Sequence, residues 1–157
     1  MELLGKPTIS PPVFYAGKFS VVAIFSSPFV SILLPGLISW RVPGPVYAGA
    51  WVVFAASSAL IVIASLEMGK SLRVGLPGGK TGLVTGGLFS ASRNPIYTAF
   101  YPCCLAVGIL APHPLVWVLS VFALIVHHRI ILSEERFLAK RFSRQWVRYS
   151  SKVRRYV

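Results

Sequence analysis

Acidic residues are nearly missing from this chain: four in 157, all of them glutamate, against 16 lysines and arginines. With so little negative charge available, each retained carboxylate is a candidate for holding a positive charge in place. Charge of either sign is absent from long stretches, namely those between Lys18 and Arg41, between Arg41 and Glu67 and between Arg93 and Arg129. Charged residues make up 13% of the chain and hydrophobic ones 55%, which excludes an ordinary soluble domain, where roughly a quarter of residues are charged. Cysteine is confined to the adjacent pair Cys103 and Cys104. Neighbours on a helix point about 100° apart, so the pair suits neither a mutual disulfide nor a metal clamp and reads as two small buried hydrophobes. No internal repeat or low-complexity linker divides the chain, and residues 1–157 make a single domain.

What is present is a set of membrane-length apolar runs. A hydrocarbon core of ~30 Å needs roughly 20 apolar residues per helix. The first two uncharged stretches fit one span each, and the third is divided by Pro112-His113-Pro114. The expected architecture is all-α: a polytopic bundle with helices near 19–40, 45–66, 95–111 and 115–132. A C-terminal amphipathic helix follows in the 133–157 tail. The third helix is short for a span. Pro43 and Pro45 suit the start of helix two, while Pro28, Pro35 and Pro102 fall inside helices one and three, where they kink or open the backbone. The first run is too long for a cleavable signal and lacks its small-residue processing pattern.

Orientation follows from the bases. Only Arg41 falls in a connection between helices one and two or three and four. The rest lie before helix one, in the 67–94 loop, at the end of helix four (Arg129) or after it. Both termini and the middle loop are therefore expected on the cytoplasmic side. The net charge of +12 reads as topology plus attraction to anionic lipid, which removes nucleic acid as a partner for so apolar a chain. In the tail, Leu138, Phe142, Trp146, Tyr149 and Val153 fall on one helical face, with bases filling much of the rest. That pattern describes an interfacial helix, which either anchors on anionic lipid or also closes over a site.

Several short motifs carry chemistry. Gly75-Leu76-Pro77-Gly78-Gly79-Lys80-Thr81 resembles a phosphate loop, but Val74 stands where the pattern needs glycine, and no βαβ unit surrounds it. Glu67 has Lys70 and Arg73 at spacings that allow a helix-end salt bridge, a ligand contact being the other reading. Arg93-Asn94-Pro95 opens helix three, with Asn94 at the N-cap and Pro95 at the first helical position. The helix N-terminus with Arg93 suits a carboxylate or phosphate. His127 and His128 end helix four, where snorkelling to the interface is the expected behaviour. Their spacing to Glu135 is too long for one ion, so no metal site is assigned. Glu134 and Glu135, set among bases, either neutralise them or hold a cationic ligand.

The order of these motifs resembles a known family. Leu83-Val84-Thr85-Gly86-Gly87-Leu88-Phe89-Ser90-Ala91-Ser92-Arg93-Asn94-Pro95-Ile96-Tyr97, then a hydrophobic hairpin, then Glu134-Glu135-Arg136 and the spaced Leu138, Phe142, Tyr149, Val153 and Arg155 look like the isoprenylcysteine carboxyl methyltransferases. That family belongs with the phospholipid methyltransferases as integral membrane enzymes. Three positions depart from its pattern: Asn94 stands for a histidine, Ser143 for a glycine and Trp146 for a tyrosine. Asn94 keeps a hydrogen-bonding side chain but cannot titrate.

The resemblance implies a methyltransferase that uses S-adenosylmethionine and a lipophilic acceptor such as an isoprenylcysteine carboxylate or another lipid. The cofactor would sit under the 83–97 loop and the C-terminal helix. Glu135, seconded by Glu134, would take the ammonium or ribose hydroxyls, and Arg93 with the helix-three N-terminus the carboxylate. Asn94 and Tyr97 would hydrogen-bond adenine or carboxylate, with Gly86 and His127 lining the pocket. Arg93 and Glu135 are the expected catalytic pair. Two rival readings are a non-enzymatic small membrane protein and a sterol-reductase-like NADPH enzyme.

Overall fold

The computed structural model describes residues 9–37, 40–69 and 82–156. The glycine-rich Gly75–Thr81 loop and the partners expected for Glu67, Lys70 and Arg73, lie outside the described residues. The described chain forms four α-helices and no strand: α1 Pro11–Leu33, α2 Gly44–Met68, α3 Pro95–Leu110 and α4 Pro114–Ser150. Short 3-10 turns occupy Pro35–Leu37 and Gly87–Ser90. Among the described residues α1, α2 and α4 are long and apolar enough to cross a membrane, and α3, with 16 residues, is a shorter apolar helix. At 1.5 Å per residue α3 rises only about 24 Å, short of the ~30 Å core.

Three boundaries differ from the expected ones. Helix one begins at Pro11 and ends at Leu33, not 19–40. Lys18 does not start it but lies two turns inside, because Pro11 and Pro12 occupy the first helical positions where no N–H is needed. Pro28 is accommodated within α1, whereas Pro35 lies beyond its end and opens the Pro35–Leu37 turn. Helix four does not stop near 132 but runs on to Ser150. Its 37 residues exceed by far the roughly 20 that a bilayer needs, so its apolar part ends near Leu132 and the charged remainder extends beyond it. The tail helix is thus a continuation of α4, set off by a break at Ser143.

Contacts run mainly between α2 and α3 and between α1 and α4, with α1–α3 and α3–α4 contacts joining the two pairs. Ile24, Phe54, Phe100, Cys103, Cys104, Val107 and Leu110 form the main core, and both cysteines are free and buried. Gly17 lets α1 approach α4 closely, since a Cβ there would meet Val126 at 2.5 Å. At one end the Ser31 hydroxyl donates to the Leu110 carbonyl at 3.1 Å, joining α1 to α3. His113 accepts from Leu115 N at 3.1 Å and caps α4 at the same end of the α3–α4 hairpin. The chain therefore runs up, down, up and down. The start of α1, the end of α2, the start of α3 and the far half of α4 gather at the opposite end.

Ser143 has φ 40° and ψ −106°, a backbone conformation that favours glycine. This gives a physical reason why the resembled family has glycine here. Ser143→Gly is expected to stabilise the protein by about 1 kcal/mol, relief of strain exceeding the added unfolded-state entropy. A thermal melt in detergent checks it, and a melting temperature at or below wild type would contradict the strain.

Candidate active site

The site is built where the start of α3 meets the far half of α4. Pro95 begins α3 and Asn94 is its N-cap residue, but the Asn94 side chain does not cap the helix. Its Nδ2 donates instead to Glu135 Oε1 at 3.1 Å and to the Arg155 carbonyl at 3.2 Å. Ser92 compensates in part by accepting from Asn94 N at 3.2 Å. Glu135 draws Asn94 away because a buried carboxylate needs donors more than a helix start with proline at its first position does.

Arg93 is the hub. Its Nε donates to Glu135 Oε1 at 3.1 Å and its Nη2 to Oε2 at 3.4 Å. Nη1 donates to the carbonyls of Ser150 at 3.1 Å and Val153 at 2.9 Å, and the guanidinium lies 5.6 Å from the Trp146 ring centroid. Arg155 approaches Glu135 from the other side, Nε at 2.9 Å and Nη2 at 2.8 Å from Oε2. The Glu135 and Arg93 side chains are only 10% and 13% exposed, so this is a buried pair and not a surface one. Burial on its own raises the Glu135 carboxyl, but hydrogen bonds and charge from Arg155 and Arg93 outweigh it and hold the group below the ordinary carboxylate range.

The same contacts stitch the C-terminal strap, residues 150–156, over the 89–94 loop. Arg93 N donates to the Arg154 carbonyl at 2.9 Å and Ser92 Oγ to that of Arg155 at 3.2 Å. Tyr149 Oη donates to the Phe89 carbonyl at 2.6 Å. Trp146 and Tyr149 are buried, so this part of the aromatic stripe of the tail packs on the loop. The loop is held from below as well: Glu67 accepts from Leu88 N at 2.8 Å. Gly87, with φ 59°, lets that carboxylate approach, since a Cβ there would overlap it.

Arg93, Asn94, Tyr97, Glu134 and Glu135 line one cavity of about 100 Å³, together with Phe89, Leu138 and Trp146. Five sequence-derived residues thus converge, and two do not. Gly86 precedes the Gly87–Ser90 turn, its carbonyl accepting from Phe89 N at 3.1 Å. His127 stands behind Tyr97, their ring centroids 5.7 Å apart. It is buried, not snorkelling, with Nδ1 2.8 Å from the Ala123 carbonyl, because α1 and α3 close over that face of α4. Glu134 interacts electrostatically with Lys18 of α1 and with Tyr97. Burial pushes its carboxyl up to about 7, against the opposing effect of Lys18.

Lys18 and Tyr156 are neighbours of the candidate site that the sequence did not single out, whereas Glu67 and Arg155 were singled out without a place in the cofactor set. Tyr156 Oη lies 2.7 Å from both Tyr101 Oη and His128 Nδ1, which secures the strap's end on α3 and α4. The available signal for Lys18 was its position within an otherwise apolar run, where an ionisable residue marks a functional candidate.

The phospholipid methyltransferase family matches residues 46–145. The chain belongs to that family. No curated protein and no solved structure matches it. The match reaches from the start of α2 to just beyond the Ser143 break, so it covers Arg93, Asn94, Tyr97, Glu134 and Glu135. It takes in α2, which the motif resemblance matched only as an apolar span. It ends at residue 145, short of the 150–156 strap that covers the candidate site in this methyltransferase-family member.

Proposed function

We propose that the protein is a membrane methyltransferase that transfers a methyl group from S-adenosylmethionine to a lipophilic acceptor, with its site and both termini on the cytoplasmic face. The observation that carries this reading is the meeting of Arg93, Asn94, Tyr97, Glu134 and Glu135 at one cavity in a phospholipid methyltransferase family member. Their chemistry fits the cofactor: carboxylates for an ammonium and ribose hydroxyls, a guanidinium for a carboxylate, and the aromatic faces of Trp146 and Phe89 for a sulfonium or adenine. The volume of about 100 Å³ is below the ~300–1,000 Å³ of typical ligand sites. Binding therefore requires the 150–156 strap to shift and Glu135 to exchange part of its arginine contacts for the ligand.

When bound, S-adenosylmethionine supplies an electrophilic methyl group on sulfur. The chain's own residues supply orientation and dryness. Arg93 and Asn94 fix the position of Glu135, and Trp146 with the strap excludes water from above. Alignment of this kind can contribute up to ~7–11 kcal/mol to a displacement. A carboxylate acceptor needs no base. For an amine or thiol, Glu134 lies in the cavity wall with a carboxyl poised near neutrality.

Calorimetric titration with S-adenosylhomocysteine and with NADPH tests the reading. Heat is expected with the first and none with the second. Folded protein that takes up NADPH supports the reductase reading, and one that takes up neither supports a non-enzymatic protein.

A further inference from the structure

Beyond the Ser143 break, the C-terminal segment presents a second face that the cofactor cavity does not use. Arg144, Arg148 and Lys152 recur every four residues and share one side of the segment. With Gln145 beside them and Thr85 and Ser90 opposite, they line a cleft of about 490 Å³, within the ~300–1,000 Å³ of ordinary ligand sites. Among the described residues no carboxylate lines it. The glutamates among the described residues lie elsewhere: Glu67 with Leu88 N, Glu135 with Arg93 and Arg155, and Glu134 in the wall of the other cavity. Three cations therefore line a half-open cleft with no counter-charge among the described residues.

From this geometry we infer that the cleft between the 83–90 loop and the 144–153 segment binds a phosphate-bearing anion. The group is a phosphate monoester or diester, carried by a lipid headgroup or free in solution. Two guanidiniums can each grip phosphate oxygens through paired N–H groups, and Lys152 adds a point charge. Gln145 and Thr85 supply neutral donors on two sides, while the Ser90 hydroxyl is spent on the Gly87 carbonyl at 2.7 Å. A basic helix that merely adheres to anionic lipid presents its charges on an open face, whereas here a second wall bearing hydroxyls faces them. The cleft is also a poor place for S-adenosylmethionine, whose sulfonium and ammonium would meet three cations and no carboxylate. The two sites share the 144–153 segment as a common wall, which places the anion within one helix width of the cofactor cavity.

The full-length protein in phosphatidylcholine nanodiscs, titrated with phosphatidic acid and read by native mass spectrometry, tests the inference. Two charge-matched double variants are compared with wild type: R144Q/R148Q in the cleft and R136Q/K140Q outside it. All four positions are exposed, and a melting curve checks that each variant is folded. The cleft variant is expected to lose affinity by about tenfold or more while the outer variant changes little. Added inorganic phosphate identifies the source: displacement of the lipid means that free phosphate suffices, and retention means that the group must come on a lipid. Equal weakening in both variants means general attraction to anionic lipid, and wild-type affinity in the cleft variant means no site; either result overturns the inference.

Discussion

Glu135→Ala is expected to destabilise the protein by about 3–5 kcal/mol and to abolish measurable binding of S-adenosylhomocysteine. The cost follows from what is left behind: Arg93 remains buried without its counter-ion, and Arg155 and Asn94 lose the acceptor that orients them. Glu135→Gln separates charge from shape. It keeps an acceptor for one donor but removes the negative charge that offsets two arginines, so an intermediate loss of stability is expected. The pH dependence has a definite sign. The Glu135 carboxyl is held below its ordinary 4.5 in the folded protein. Its stabilising contribution is therefore complete above the ordinary carboxylate range and is lost as pH falls through the folded value. Wild type should lose stability below about pH 5, and Glu135→Gln should lose less over the same interval. Parallel acid melts for the two proteins would show that the Arg93–Glu135–Arg155 cluster does not carry this stability.

Much of this cluster was legible because distance in sequence and distance in space are linked by a simple hairpin. Once α3 and α4 are read as antiparallel spans, Arg93 at the start of one and Glu135 past the apolar end of the other must lie at the same end. The N-cap position of Asn94, the first-turn proline and the aromatic stripe were readable for the same reason, since each depends on local periodicity. What was not legible is where a side chain goes when two partners compete for it. Asn94 has the residue type of a cap, yet a buried carboxylate with an unfilled acceptor outranks that role. Glu67 accepts from the backbone of Leu88 in the loop packed above α2, a partner 21 residues away that no local spacing announces. Lys18 was read as a boundary because a charge usually ends a span. Here it lies inside α1 with a half-buried carboxylate, Glu134, within electrostatic reach to offset it. The break at Ser143 sits between: the family comparison marks the position, and only the backbone shows that φ is positive there.

Arg93→Lys keeps the charge and is nonetheless expected to cost about 2–4 kcal/mol. Arg93 serves three acceptor groups with three different nitrogens: the Glu135 carboxylate through Nε and Nη2, and the Ser150 and Val153 carbonyls through Nη1. Its flat guanidinium also lies against the Trp146 ring. A lysine ammonium is one point with three donors and cannot reach groups spread over that span while stacking on an indole. The ion pair with Glu135 is the part it can restore. The strap carbonyls are the part it cannot, and each left unpaired costs about 1–3 kcal/mol. The damage should therefore be local. Hydrogen exchange at residues 150–156 is expected to accelerate in Arg93→Lys while the α1–α2 amides stay protected, and affinity for S-adenosylhomocysteine should fall by about tenfold or more as the cavity loses its roof. Arg93→Ala should add the cost of an uncompensated Glu135 and open both the strap and the 89–94 loop. If Arg93→Lys instead exchanges like wild type across the strap, charge alone holds the site together and the directional hydrogen bonds of Arg93 are incidental.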